Sequence, residues 1–460
     1  MKPLTEQSRT MSPAAWTVLP RMAWPLLAGL GIAILMQFAV GPSVSGFTSQ
    51  IMLIAGINII MAVSLTVVNG FTGQFSMGHA GFMAVGGYVA ATLTYYGSIK
   101  MFGTADFAGG TISWTGSGEN PGSIVGKGDY LFVISCLVGG VVSAIAGYVV
   151  GLPSLRLRGD YLAIVTLGFG EIVRVLLQGT NPQIQPWKAQ EAAEVPFYKL
   201  ATMLGGPMGF NLLPTYTTLF WVYLFVVLTL IVCYRLKSSS SGRAFLSIRE
   251  DEIASQAMGV DVTKYKVRAF VLASFFAGVA GGLYAMSIGA INAGDLGFQK
   301  SFDIIIMVVL GGMGSISGAT VAAVVLTILP EFLRDPPPVW PLGLAFLVAV
   351  VLAQAVRKHW NIRTLAGIAV GTAILEGARL YCVSRGIDIA SFRLILYALL
   401  LIAMMLLRPQ GLLGVREVWE LFGHRRPNPN PSPDPKPDAA PPSKGTSKAT
   451  GNPTSKGGAS

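Results

Sequence analysis

The chain has 460 residues, 52% of them hydrophobic and only 12% charged, with 33 Lys and Arg against 22 Asp and Glu for a formal net charge of +11. A soluble globular domain carries about a quarter charged residues, so this composition, with a mean hydropathy of +0.59, excludes a soluble enzyme and predicts an all-α integral membrane protein. Such an excess of cations would point to nucleic acid in a soluble protein, but in a membrane protein it is tested first against the positive-inside pattern, which it fits, and no nucleic acid is expected.

Apolar stretches near the length that crosses ~30 Å of hydrocarbon as a helix recur at 23–40, 51–68, 81–96, 130–151, 160–178, 215–235, 268–289, 341–356, 364–383 and 391–407. Backbone groups in lipid must bond internally, so these read as helices. The short alternating segments of a transmembrane barrel are absent. Residues 21–40 read as a first helix, since no convincing cleavage site follows them. Arg21, Arg156 with Arg158, the group Arg235 to Lys266, Arg357 with Lys358 and Arg363, and Arg408 to Arg426 fall at alternate helix ends. That pattern places both termini, the 152–159 turn, the 236–267 loop and the 357–363 turn in the cytoplasm, and 97–129 and 179–214 outside.

The region 298–332 breaks this regularity. Its apolar run Ile304 to Leu310 is too short to cross, a glycine-serine break follows at 311–318, and a second apolar run follows that. A re-entrant pair and two tilted spans are both open, for a total of ten or twelve crossings. The expected organisation is a cytoplasmic segment 1–20, a membrane domain 21–414 and a tail 415–460 whose Pro, Ser, Gly and Lys content predicts disorder.

The stretch "NGFTGQFSMGHAGFMAVGGY" at 69–88 puts six glycines among polar side chains directly after an apolar run. Glycines alone fit close helix packing as well as an unwound helix beside a cavity. Asn69, Gln74, Ser76 and His79 together exceed what packing needs and point to a passage. Gly312 and Ser315 share this character in the second break, and Thr166 lies on the helix that carries Glu171 and Arg174. The last two stand three apart on one helix face and can neutralise each other. An isolated charge at mid-membrane costs ~3 kcal/mol on insertion scales, so the pair either fixes a helix near the outer interface or faces a path. Glu376 and Arg379 repeat the spacing, and Asp303 reads as a cap. Cys136, Cys233 and Cys382 read as small hydrophobes. His359 and His424 lack metal-site spacing, and no P-loop, nucleophile elbow or zinc-protease motif occurs, so no catalytic residue, cofactor or metal is expected.

The loop 236–267 is the long, charged cytoplasmic one. Ser247 or a neighbour is expected to cap a short helix opened by Glu250, Asp251 and Glu252, with Gly259 as its stop. Ile253, Ala254, Ala257 and Met258 fall on one face of that helix. A docking site for a soluble partner and a helix resting on lipid are equally compatible with this pattern.

Five motifs in order, "GFTGQFSMGHAGFMAVGGYVAA", "LPSLRLRGDYLAIVTLGFGEIVR", "GRAFLSIREDEIASQAMGVDVTKYKVRAFVLASFFAGVAGGLYA", "VVLGGMGSISGATVAA" and "RPQGLLG", strongly resemble the LivM-type permease subunits of branched-chain amino acid ABC importers. The resemblance implies a pore subunit that pairs with a LivH-type permease, two cytoplasmic ATPase subunits and an extracytoplasmic binding protein in a bacterial-type inner membrane. It implies that 242–268 is the element pressed against the ATPase. Ile253, Ala254, Ala257 and Met258 would dock, Arg249, Glu250, Asp251 and Glu252 would set the orientation, and Gly259 would end the element. The loop is only loosely similar to the EAA signature of ABC importers, because Glu252 and Gly259 stand one residue too far apart for it. The segment 336–391 departs from the family as an inserted helical hairpin that leaves later orientations unchanged. Permeases of this appearance also serve urea, amides and aromatic acids. A secondary transporter driven by an ion gradient and a membrane scaffold are the alternatives from other classes.

Overall fold

The computed structural model describes residues 15–110, 125–154 and 161–334, with isolated positions 398, 399, 402, 411 and 417. The expected spans at 341–356 and 364–383 and the inserted hairpin lie outside the described residues, as do 391–407 and the tail apart from those isolated positions. The described residues are all-α, with one isolated bridge between Phe210 and Ile291. In chain order the helices are α1 Ala15–Leu35, α2 Gly46–Leu65, α3 His79–Phe102, α4 Lys127–Ser154, α5 Tyr161–Gln178, α6 Ala189–Glu194, α7 Phe197–Leu200, α8 Leu219–Ser238, α9 Ser240–Glu250, α10 Glu252–Ala257, α11 Val262–Ile288, α12 Phe298–Gly311 and α13 Ile316–Arg334.

Among the described residues, six helical stretches are long and apolar enough to cross a membrane: Pro25–Ser43, Gly46–Phe71, Lys127–Pro153, Tyr161–Gln178, Leu219–Ser238 and Val262–Ile288. They coincide with six of the stretches that hydropathy predicts. The stretch 81–96 falls in α3, whose 24 residues span about 36 Å at 1.5 Å per residue. It is studded with glycine and hydroxyl side chains because it runs through the centre of the molecule. There α3, α4 and α11 pack against one another along their lengths. Small residues permit the close approach: a methyl on Gly86 would lie 2.2 Å from Gly278 Cα. Such contacts do for helices in lipid what bulky apolar knobs do in water. The Ser143 hydroxyl lies 2.7 Å from the Ser274 carbonyl and 3.0 Å from that of Phe82, joining the three helices.

Two helices start deep inside the bundle. After α2 the helix widens into a π-turn, Thr66–Phe71, and residues 72–78 then run non-helically before α3 begins. His79 Nε2 lies 2.9 Å from Ser64 Oγ. From Ser64 to Phe71 the chain descends about 10 Å at helical rise, and 72–78 climbs back over the same height. The same device recurs inverted after α11. Tyr88 Oη donates to Ile291 O at 3.2 Å, and Ala80 N donates to Ser301 Oγ at 3.1 Å. Tyr88 and Ala80 are about 12 Å apart along α3, so 291–297 passes down beside α3 before α12 begins. The first turns of α3 and α12 therefore stand side by side and run in opposite directions.

This geometry bears on the 298–332 region. Its first pass combines the non-helical, turn-containing lead-in 291–297 with a helix of 14 residues, about 21 Å long, and α13 returns antiparallel to it. One end of the bundle, the basic end, carries Lys237, Arg249, α9 and α10, together with the 312–315 turn. The opposite end is covered by 179–218, pinned through Tyr95 Oη to Ile184 O at 2.9 Å, Tyr96 Oη to Met203 O at 2.8 Å and the reciprocal bonds of Gln183 with Asn211.

Candidate functional site

The first break is wired by the polar residues that mark it in the sequence. A non-helical stretch in an apolar interior needs a partner for each N–H, because an unpaired buried amide costs about as much as a lost hydrogen bond. Gln74 N bonds Val68 O at 3.2 Å, Ser76 N bonds Asn69 Oδ1 at 3.2 Å and Met77 N bonds Thr166 Oγ1 at 3.0 Å. Thr72 Oγ1 donates to Val68 O at 2.7 Å. Asn69, Gln74, Ser76, His79 and Thr166 are thus brought together, and all are buried. The Ser76 hydroxyl alone among them has no hydrogen-bond partner. Gly78 is required where the segment crosses α5, since a methyl there would meet Thr166 O at 2.1 Å.

Glu171 and Arg174 lie one to two turns further along α5 and reach the surface, with 37% and 31% of their side chains exposed. Arg174 Nε donates to Glu171 Oε2 at 2.7 Å and its Nη1 to Gln178 Oε1 at 3.2 Å. Glu171 Oε1 also accepts the N–H of Phe298, the first residue of α12, at 3.2 Å. The three-residue spacing foretells the ion pair. The capping of a helix 127 residues later has no sequence signal.

Gly312 and Ser315 form the turn between α12 and α13, at the basic end, with φ of +108° at Gly312 and +101° at Gly314. The two breaks touch: a methyl on Gly70 would lie 2.7 Å from Gly314 N. Two cations of the adjoining loop close over this contact. Lys237 Nζ donates to Gly314 O at 2.9 Å and pairs with Glu417, and Arg249 Nη1 donates to Gly70 O at 2.9 Å. Glu417 accepts from Ile316 N at 3.2 Å, Ser317 N at 3.0 Å and Ser317 Oγ at 2.6 Å, so it caps α13 from outside. Burial pushes its carboxyl pKa up, but the bonds from Lys237 and Ser317 outweigh that and hold it below the usual carboxylate range. Sequence reasoning missed both Lys237 and Glu417, which are 180 residues apart.

The loop 236–267 differs in detail from its expected form. Glu250, Asp251 and Glu252 do not open one helix. Asp251 is extended, with φ −156° and ψ 115°, and divides α9 from α10. It is also the cap: its Oδ1 accepts from Ile253 N at 2.8 Å and Ala254 N at 3.0 Å. Ser247, expected in that role, sits inside α9 and donates to Ala244 O. Gly259 follows α10 with φ +86°. Ile253 and Met258 are 71% and 84% exposed, and Ala254 and Ala257 are exposed beside them. Glu252 turns back to pair with the buried Lys266 of α11. Arg249, grouped with these residues by sequence, points the other way into the breaks. Among the described residues no group of His, Cys, Asp and Glu could hold a metal ion.

The profile of the branched-chain amino acid transport system permease component matches residues 47–335. The high-affinity branched-chain amino acid transport system permease protein LivM of Salmonella typhimurium is 36% identical over 67% of this chain and 68% of its own length. The protein of the same description from Escherichia coli is 34% identical over the same shares. A probable LivM permease of Methanocaldococcus jannaschii is 27% identical over 62% of this chain and 81% of its own. No solved structure matches. The matched span runs from α2 through α13 and contains both helix breaks and the α9–α10 loop; the chain belongs to the family of branched-chain amino acid transport permease components.

Proposed function

We propose that this chain is the permease subunit of an ATP-driven importer of branched-chain or related amino acids. In this reading it builds the translocation path with a LivH-type partner permease, receives substrate from an extracytoplasmic binding protein and is driven by two ATPase subunits. ATP hydrolysis then belongs to those subunits. The observation that carries the reading is α10, a helix of six residues capped by Asp251, tied to α11 through Glu252 and Lys266, and presenting Ile253, Ala254, Ala257 and Met258 outward. A charged loop that spends its anchoring groups on holding an exposed apolar face is built to dock something. The positive-inside rule supports a cytoplasmic basic end, where an ATPase would lie. Of the candidate path residues, Glu171 and Arg174 reach the surface and would face the solute or the partner permease. Asn69, Gln74, Ser76, His79, Thr166, Gly312 and Ser315 would shape the wall behind them.

Ile253→Glu with Met258→Glu tests the docking face, because neither side chain is part of the core. The double variant should insert normally yet lose ATPase co-purification and leucine uptake in vesicles. Uptake driven by an ion gradient without any ATPase subunit would refute the proposal. Calorimetry on the binding protein with leucine, isoleucine and valine tests the substrate class.

A further inference from the structure

Carbonyls from both helix breaks converge on one guanidinium. Arg249, next to last in α9, donates Nη1 to Gly70 O at 2.9 Å and lies 3.5 Å from Met313 O. A methyl on Gly314 would fall 2.8 Å from Nη1, and one on Gly73 would fall 3.2 Å from Arg249 Cγ. Both glycines have positive φ, +101° and +69°, so the seat is made of backbone that other residues would strain and block. The last carbonyls of a helix lack partners within it, and a guanidinium can serve two acceptors at once in a fixed geometry.

We propose that Arg249 is the positioning residue through which displacement of α9 and α10 reaches both helix breaks together. The inference rests on the coupling reading above and adds the route. Only Asp251 separates α10 from the helix that carries Arg249. Moving that helix draws Gly70 and Met313 with it. Gly70 leads through 72–78 to the first turn of α3, and Met313 joins α12 to α13. Both helices that start inside the bundle are therefore pulled from one point.

The test uses the complete complex in lipid vesicles, with Arg249→Ala and Arg249→Lys, and reads radiolabelled leucine uptake, ATP hydrolysis, retained ATPase subunit and melting temperature. Hydrogen bonds to a charged group contribute enough that R249A should lose about tenfold in leucine moved per ATP, while ATPase binding and melting temperature stay near wild type. R249K, able to reach one carbonyl, should fall between. Unchanged uptake per ATP in R249A overturns the proposal, and so does a loss that follows melting temperature and assembly in both variants. Spin labels at the exposed Arg243 and Met313 supply a measurement free of any Arg249 variant. Their separation should hold while ATP binding moves both relative to Met208, and a separation that changes with ATP refutes a rigid link. Failure of the coupling reading itself shows differently, as wild-type complex that binds no ATPase.

Discussion

Replacing Asp251 separates a cap from a contact. Its carboxylate accepts two backbone N–H groups of α10, a helix of six residues that is far below the length at which isolated helices hold their shape in water. Loss of an N-cap to alanine costs ~1 kcal/mol, whereas asparagine caps about as well as aspartate. The other fasteners of α10 are the Glu252–Lys266 pair and buried Ser255, neither of which replaces bonds at the first turn. At RT, ~1 kcal/mol lowers the ratio of formed to frayed α10 by about fivefold. Asp251→Ala should therefore weaken ATPase binding by up to about fivefold, and Asp251→Asn should leave it near wild type. Titrating purified ATPase subunit onto the permease in nanodiscs reads both. If asparagine weakens binding as much as alanine, the negative charge contacts the partner and the capping argument is wrong; if alanine changes nothing, α10 is not the docking element.

Asn69→Ala removes the acceptor for the buried Ser76 N–H, so the detergent-solubilised protein should lose about 1–3 kcal/mol, seen as a lower melting temperature. Glu171→Ala removes the carboxylate from a pair whose side chains are about a third exposed and the acceptor of the Phe298 N–H, so its cost should stay at ~1 kcal/mol; uptake by the Glu171→Ala, Arg174→Ala double variant reports whether the pair serves transport. The depressed pKa of Glu417 means its contribution is fully present above the unfolded carboxylate pKa and is lost as pH falls through the folded one. Melting temperature should thus decline on the acid side in wild type and decline less in Glu417→Gln, whose melting temperature at neutral pH should start lower.

Hydropathy makes the spans legible because each helix must cover its own backbone in lipid, and that requirement is local. The first break is legible for the same reason: Asn69 and Thr166 supply the side-chain acceptors that replace helical hydrogen bonds for Ser76 N and Met77 N. Its inverted counterpart is not. "GAINAGDLG" at 289–297 reads as an ordinary loop, and only the bonds at Ile291 and Ser301 reveal how far it descends beside α3. Asp251 is misread because three consecutive acids suit one helix start, whereas the middle one competes for the backbone and splits the segment. The direction of Arg249 and the Lys237–Glu417 pair depend on pieces of chain far apart in sequence, and composition says nothing about which cation faces inward.

The helix starts buried at α3 and α12 explain why so polar a stretch belongs in so apolar a chain. A continuous helix across a bilayer can tilt or slide only as a rod, since its hydrogen bonds are all internal. A helix that starts midway leaves its first N–H groups to be met by other elements, here Ser301 for Ala80 and Glu171 for Phe298. Those bonds join separate elements and can be exchanged without unwinding either helix. Because α3 and α12 begin side by side and run oppositely, a displacement at the basic end reaches α3 through the non-helical 72–78 and α12 directly along its axis, which alters the level at which they meet. The buried amide and hydroxyl groups of 69–79 keep the non-helical backbone satisfied while leaving it a joint. Replacing them with apolar residues of equal size would remove the partners and restore the pressure to form a helix, converting the joint into another rod.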